Sequence, residues 1–348
     1  MTTAALAPAL RRLHRPLLAT SAVMITLAVF SLCAMLFDDR TLLHESVWLK
    51  PLKFAVAFTL YTGTLAWLLS FPHRGQRLTW WMGTVFAIAG VADVGFIAVQ
   101  AARGTFSHFN SQTDAVNSIG QIVFDAGIPA LFFANLIIAL TLTWQRVTDR
   151  PTGRAINAGL GIAAAAMALM IFAGGGAPQQ TTDAYGNPVS LRASHTVTTG
   201  QVHDDGGGMP ITHWSTVGGD LRIPHFVGLH AIQVLILAAL LLNRFGPRVP
   251  WLRGERARAD LIRVLALGYA GLVGVLAWQA HRGQPLTHPD SATLTGFGLV
   301  AVVTAAGIGL VYAVRRRASS ESVLDTPATQ PIVSATAPRP ASTSPISQ

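Results

Sequence analysis

Residues 219–242 read GDLRIPHFVGLHAIQVLILAALLL. From Ile223 onward the stretch is apolar for the length of a membrane-crossing helix, since about 20 residues at 1.5 Å each cover a hydrocarbon core of about 30 Å. The same stretch nevertheless opens with Asp220, Arg222, His225, His230 and Gln233. Such groups are expensive in lipid, so they face water, a ligand or one another. Two expectations follow: a bundle of membrane helices, and a polar layer near one of its ends.

The whole chain fits the first expectation. Of its 348 residues 51% are hydrophobic and only 12% charged, and apolar runs near 20 residues recur, as in polytopic membrane proteins. Eight transmembrane helices are expected, at about 16–37, 51–71, 79–101, 118–143, 156–173, 223–243, 260–280 and 292–314, an all-α bundle occupying residues 1–317. The first run is too long for the apolar core of a cleaved signal peptide and reads as a retained helix. A net charge of +9 would suggest nucleic acid in a soluble protein. Here the excess is arginine in short loops (Arg74, Arg77, Arg146, Arg150, Arg154, Arg244, Arg248), which makes it a topology signal with both termini cytoplasmic. No nucleic-acid partner is expected. The outer loop 174–222 is the longest connection and reads as a lid or a mobile segment. Residues 318–348, rich in Ser, Thr, Pro and Ala, read as a disordered cytoplasmic tail. Cys33 is the only cysteine, which excludes an intrachain disulfide and a thiolate metal cluster.

Depth along the helices places the polar groups. At 1.5 Å per residue, Asp93 lies about 12 Å below the outer end of its helix, Asp125 about 10 Å and His230 about 10 Å. Asp93 and Gln100 share a face, about 20° apart, while Asn117, Gln121 and Asp125 form an i, i+4, i+8 stripe. An outward-facing cavity accounts for this layer; interhelical hydrogen bonding is the alternative. On a straight helix His225 and His230 point about 140° apart, which disfavours one metal ion taking both. Haem held by facing histidines, or another divalent metal, stays open as a cofactor. His195, His203 and His213, with Asp204 and Asp205, read as solvated loop polarity. Gly159-Leu160-Gly161 and Gly307-Ile308-Gly309, inside apolar helices, read as close helix packing and not as nucleotide binding.

Three outer-side segments complete the candidate site. HESVWLKPLKF (44–54) carries Glu45, Lys50 and Lys53, the chain's only two lysines, at i, i+3. QAARGTFSHFN (100–110) adds Gln100, Arg103 and His108, and GDLRIPHFVGLHAIQ (219–233) adds Arg222, His225, His230 and Gln233. Together these motifs resemble an uncharacterised family of bacterial multi-pass inner-membrane proteins, a resemblance that implies that membrane and no activity. Cations around an outward mouth point to an anionic small molecule or a lipid headgroup as ligand. His225 and His230, supported by Asp93 and Asp125, are the candidates for proton transfer. The expected protein is an enzyme acting on a lipid or amphiphile of the outer leaflet. A proton-coupled transporter of a small anion and a sensory or accessory membrane protein are the alternatives.

Overall fold

A computed structural model of the chain describes residues 13–172, 176–198 and 208–324, with side chains throughout except at 171, 172 and 318–324. Nine α-helices lie among them: α1 Arg15–Ala34, α2 Leu49–Leu68, α3 Gln76–Ala102, α4 Ala115–Leu142, α5 Arg150–Phe172, α6 Arg222–Leu229, α7 Ala231–Phe245, α8 Glu255–His281 and α9 Ser291–Leu324. Arg11, Arg12, His203, Asp204 and Asp205 fall outside the described residues. So does the tail beyond 324, although α9 runs seven residues into the segment expected to be irregular.

Seven segments are long and apolar enough to cross a membrane: α1, α3, α4, Arg150–Met170, Arg222–Arg248, α8 and Ser291–Arg317. Helix α2, expected as an eighth span, forms as a continuous 20-residue helix but is not among the seven. Lys50, Lys53, Tyr61 and three threonines dilute its hydropathy. Those threonines are nonetheless compatible with lipid, because Thr59, Thr62 and Thr64 each donate back to the carbonyl four residues earlier.

Helices α1–α4 pack on one another, α5 packs against α6, α7 and α8, and the two groups meet at α4–α5 and α2–α7. Their shared core includes Leu17, Tyr61, Leu65, Phe86, Ile138, Ile156, Leu160, Ile232 and Ile262. Helix α9 packs along α8. It leaves Leu294, Leu299, Val302, Val303 and Leu310 exposed, an apolar face that water would not tolerate over such a length and lipid would. At one end of the bundle Asp260 of α8 binds Arg154 of α5 and Arg315 of α9, and Asn243 reaches Asp149. At the other end lie the long loops.

The loop expected at 174–222 carries short β-structure. Strands β3 (Gln179–Thr182) and β4 (Pro188–Leu191) pair antiparallel, and β5 (Thr196–Val197) pairs with β6 (Gly219–Asp220). A further hairpin, β1 (Thr41–Leu42) with β2 (Glu45–Ser46), precedes α2. The β3–β4 turn follows from its residues: the Asp183 carboxylate accepts the Tyr185 and Asn187 amides, and Gly186 takes the left-handed conformation that the reversal needs. This hairpin bridges to the 103–114 loop through Asn110 and Leu191. It also meets Arg40, which donates to the Tyr185 hydroxyl at 2.5 Å.

One expected helix is interrupted. The 223–243 span breaks at His230, whose ψ of 1° is far from helical, and becomes α6 and α7. The Tyr269 hydroxyl of α8 donates to the Val227 carbonyl at 2.7 Å, the acceptor that a straight helix would offer to Ala231. The i to i−4 bonds from the His230 amide to Phe226 and from the Val234 amide to His230 persist across this distortion.

Candidate functional site

The three acidic and basic groups of the deep layer inferred from sequence have separate surroundings. Asp93 is 3% exposed, its Oδ1 has no hydrogen-bond partner, and its carboxylate fills the space that a side chain at Gly127 of α4 would need. Asp125 lies elsewhere: its side chain is 53% exposed and pairs with Arg192 at 2.9 Å. The stripe through Asn117, Gln121 and Asp125 explains this, because eight residues rotate a straight helix by about 80°. Asn117 and Gln121 stay buried while Asp125 turns outward. His230 sits at the α6–α7 break with its ring 6.1 Å from Phe226. The polar atoms of the Gln233 amide, on α7, are buried, with His230 as their neighbour. Among the described residues no hydrogen bond or ion pair joins Asp93, Asp125 and His230 to one another.

Several expected site residues form a closed network that holds the 103–114 loop. Gln100 donates to Asn117 at 2.8 Å and accepts from Arg103 at 2.8 Å. Arg103 pairs with Asp114, and Gln121 donates to the Ser107 carbonyl. Asp114 also caps α4 by accepting the Asn117 amide. With donors and acceptors matched, Gln100, Arg103 and Gln121 position the loop. What they position is His108, whose ring lies 4.4 Å from Phe124, 5.8 Å from Phe54 and 5.5 Å from the ring of His195.

Around that pair of imidazoles the loop-bearing end gathers its cations. Lys53 donates to Glu45 at 3.1 Å and to the Thr212 carbonyl at 3.0 Å. Arg222 forks onto Asp220, itself 1% exposed, and donates to the His213 carbonyl at 2.8 Å. Lys50, one helical turn before Lys53, makes no hydrogen bond or ion pair among the described residues. His225 hydrogen-bonds through Nδ1 to the Ala166 carbonyl at 2.9 Å, so its ring donates from that nitrogen.

Electrostatics follow from this packing. Burial pushes the His108 imidazole well below its usual range, and the charges of Lys50, His195 and Arg222 act in the same direction. His195 is displaced the same way, first by burial and then by Arg222, Lys50 and His225. The site thus joins two imidazoles that burial biases toward the neutral form, two ion-paired cations, and Lys50, which makes no direct ion pair among the described residues. Among the described residues no group of three His, Cys, Asp or Glu side chains is placed to hold a metal ion.

Sequence reasoning assigned His195 and His213 to solvated loop and did not single out Thr212. His195 is carried inward because its carbonyl accepts the Leu221 amide and β5 pairs with β6 just before α6. That pairing is long-range and leaves no periodic trace in the sequence. No protein-family model matches the chain, and comparison with curated proteins and with solved structures likewise finds no match.

Proposed function

We propose that the chain is a multi-pass protein of the bacterial inner membrane, with both termini cytoplasmic and α2 as its eighth span. In this reading the loop-bearing end faces the extracytoplasmic side and holds an anionic group in the pocket formed by Lys50, Lys53, Arg222, His108 and His195. The reading rests on Lys50. Lys53 and Arg222 each bond a carboxylate directly, whereas Lys50 has neither hydrogen bond nor ion pair among the described residues: the nearby Glu45 is taken up by Lys53, and the neighbouring imidazoles are pushed by burial toward their neutral form. A partly buried ammonium of that kind is stabilised by an anion from outside the chain. A phosphate or carboxylate group, free or on a lipid or amphiphile of the outer leaflet, meets that requirement. A neutral imidazole beside the bound anion also suits a general base, the enzymatic form of the same reading.

The test uses the full chain in nanodiscs of neutral phosphatidylcholine, titrated with inorganic phosphate and, separately, with short-chain phosphatidylglycerol. The expected result is saturable binding of at least one, weakened about tenfold or more in Lys50→Met, the effect of losing a hydrogen bond to a charged group. Binding of neither, or equal binding by a folded Lys50→Met, overturns the proposal. A second reading, a proton-coupled transporter of a small anion, is favoured by Asp93, a buried carboxyl with no polar partner in the middle of α3. Its test is anion uptake into proteoliposomes, which must vanish in Asp93→Asn.

A further inference from the structure

The turn at 209–214 carries strained backbone beside the proposed pocket. Ile211 (φ 69°) and His213 (φ 51°) both occupy the left-handed region. That region is unfavourable for any residue bearing a Cβ and most of all for a β-branched one. The strain is held locally by three hydrogen bonds of 2.8 Å: Met209 N to Trp214 O, Thr212 N to Pro210 O, and His213 N to Met209 O. It is held from the pocket as well, since the Thr212 and His213 carbonyls accept from Lys53 and Arg222. Between the two strained residues sits Thr212, whose hydroxyl oxygen is buried and has no hydrogen-bond partner.

Strain that surrounding contacts sustain collects at working sites, and a buried hydroxyl left unpaired is destabilising unless a ligand satisfies it. The turn also uses its carbonyls to satisfy Lys53 and Arg222, which leaves the hydroxyl as the group it can offer to an incoming molecule. We infer that Thr212 is a ligand-binding residue whose hydroxyl donates to the same oxyanion group, phosphate or carboxylate, that Lys50 holds. This inference rests on the anion-pocket reading and adds to it a neutral donor from the turn that Lys53 of α2 contacts. A hydroxyl donor adds one directional hydrogen bond to the charge that Lys50 supplies.

The experiment compares wild type, Thr212→Val, Thr212→Ser and Lys50→Met as full chains in phosphatidylcholine nanodiscs. Each is titrated with inorganic phosphate and with short-chain phosphatidylglycerol. Thr212→Val keeps the shape and removes the hydroxyl. It is expected to weaken binding of the oxyanion probe about tenfold to a hundredfold with little change in melting temperature, and Thr212→Ser is expected to restore it. Should Thr212→Val not fold, Thr212→Ala carries the same comparison. If phosphate responds and phosphatidylglycerol does not, the ligand is a free anion, and the reverse response identifies a headgroup. Unchanged binding in Thr212→Val alongside weakened binding in Lys50→Met overturns the role of Thr212 and leaves the pocket standing. Unchanged binding in both overturns the two together.

Discussion

A methyl group added at Gly159 of α5 would lie 2.5 Å from the Ile232 Cα and 3.0 Å from its amide nitrogen on α7. Carbon atoms pack at about 3.5–4.0 Å, so Gly159→Ala must drive two helix backbones apart by roughly 1 Å or more. The obstacle is backbone, which no rotamer change relieves. Overpacking of this kind destabilises by about 1–3 kcal/mol, while replacing a helical glycine with alanine gains up to about 1 kcal/mol. A net loss of about 1–2 kcal/mol is therefore expected for Gly159→Ala. Gly161, two residues on, has nothing within 4 Å of the added methyl, so Gly161→Ala isolates the propensity gain and is expected to be neutral or stabilising by up to about 1 kcal/mol. The assay is reversible denaturant unfolding in one detergent, followed by tryptophan fluorescence, with the two variants side by side. Equal stability of Gly159→Ala and Gly161→Ala would refute the claim that α5 and α7 meet backbone to backbone beside the helix break.

Two further outcomes are expected. Tyr61→Phe removes the 2.8 Å hydrogen bond that the Tyr61 hydroxyl donates to Asn135 Oδ1 where both residues are buried, leaving that oxygen unpaired as Nδ2 already is; the expected loss is about 1–3 kcal/mol in the same unfolding assay. His108 and His195 set a pH dependence. Their imidazoles titrate below the usual 6.5 in the folded protein, so the unfolded chain binds more protons as pH falls through that value. Stability conferred by neutral imidazoles is full above about pH 6.5 and declines below it by up to about 1.4 kcal/mol per pH unit for each. Melting temperatures from pH 7.5 to pH 5 in His108→Asn and His195→Asn, referred to wild type, measure this; a wild-type slope unchanged in both variants contradicts it.

What the sequence determined is the membrane-helix architecture and which end carries the polar groups. Hydropathy over about 20 residues is a local sum, so the apolar runs from Arg15 to Arg317 announce themselves, and positions such as Lys50, His108 and Arg222 fall near helix ends by counting alone. Only the tertiary structure decided which of those polar groups meet. Asp125 turns outward to Arg192 because a straight helix rotates it about 80° from Asn117. The expected span from 223 to 243 breaks at His230, next to a carbonyl bonded by Tyr269 of another helix. His195 comes beside His108, and Thr212 beside Lys53, through strand pairing and left-handed turns in a loop without periodicity. Depth and hydropathy are properties of one segment and can be read along it. Rotation, partnering and burial arise between segments distant in the chain, so they exist only once the helices have packed.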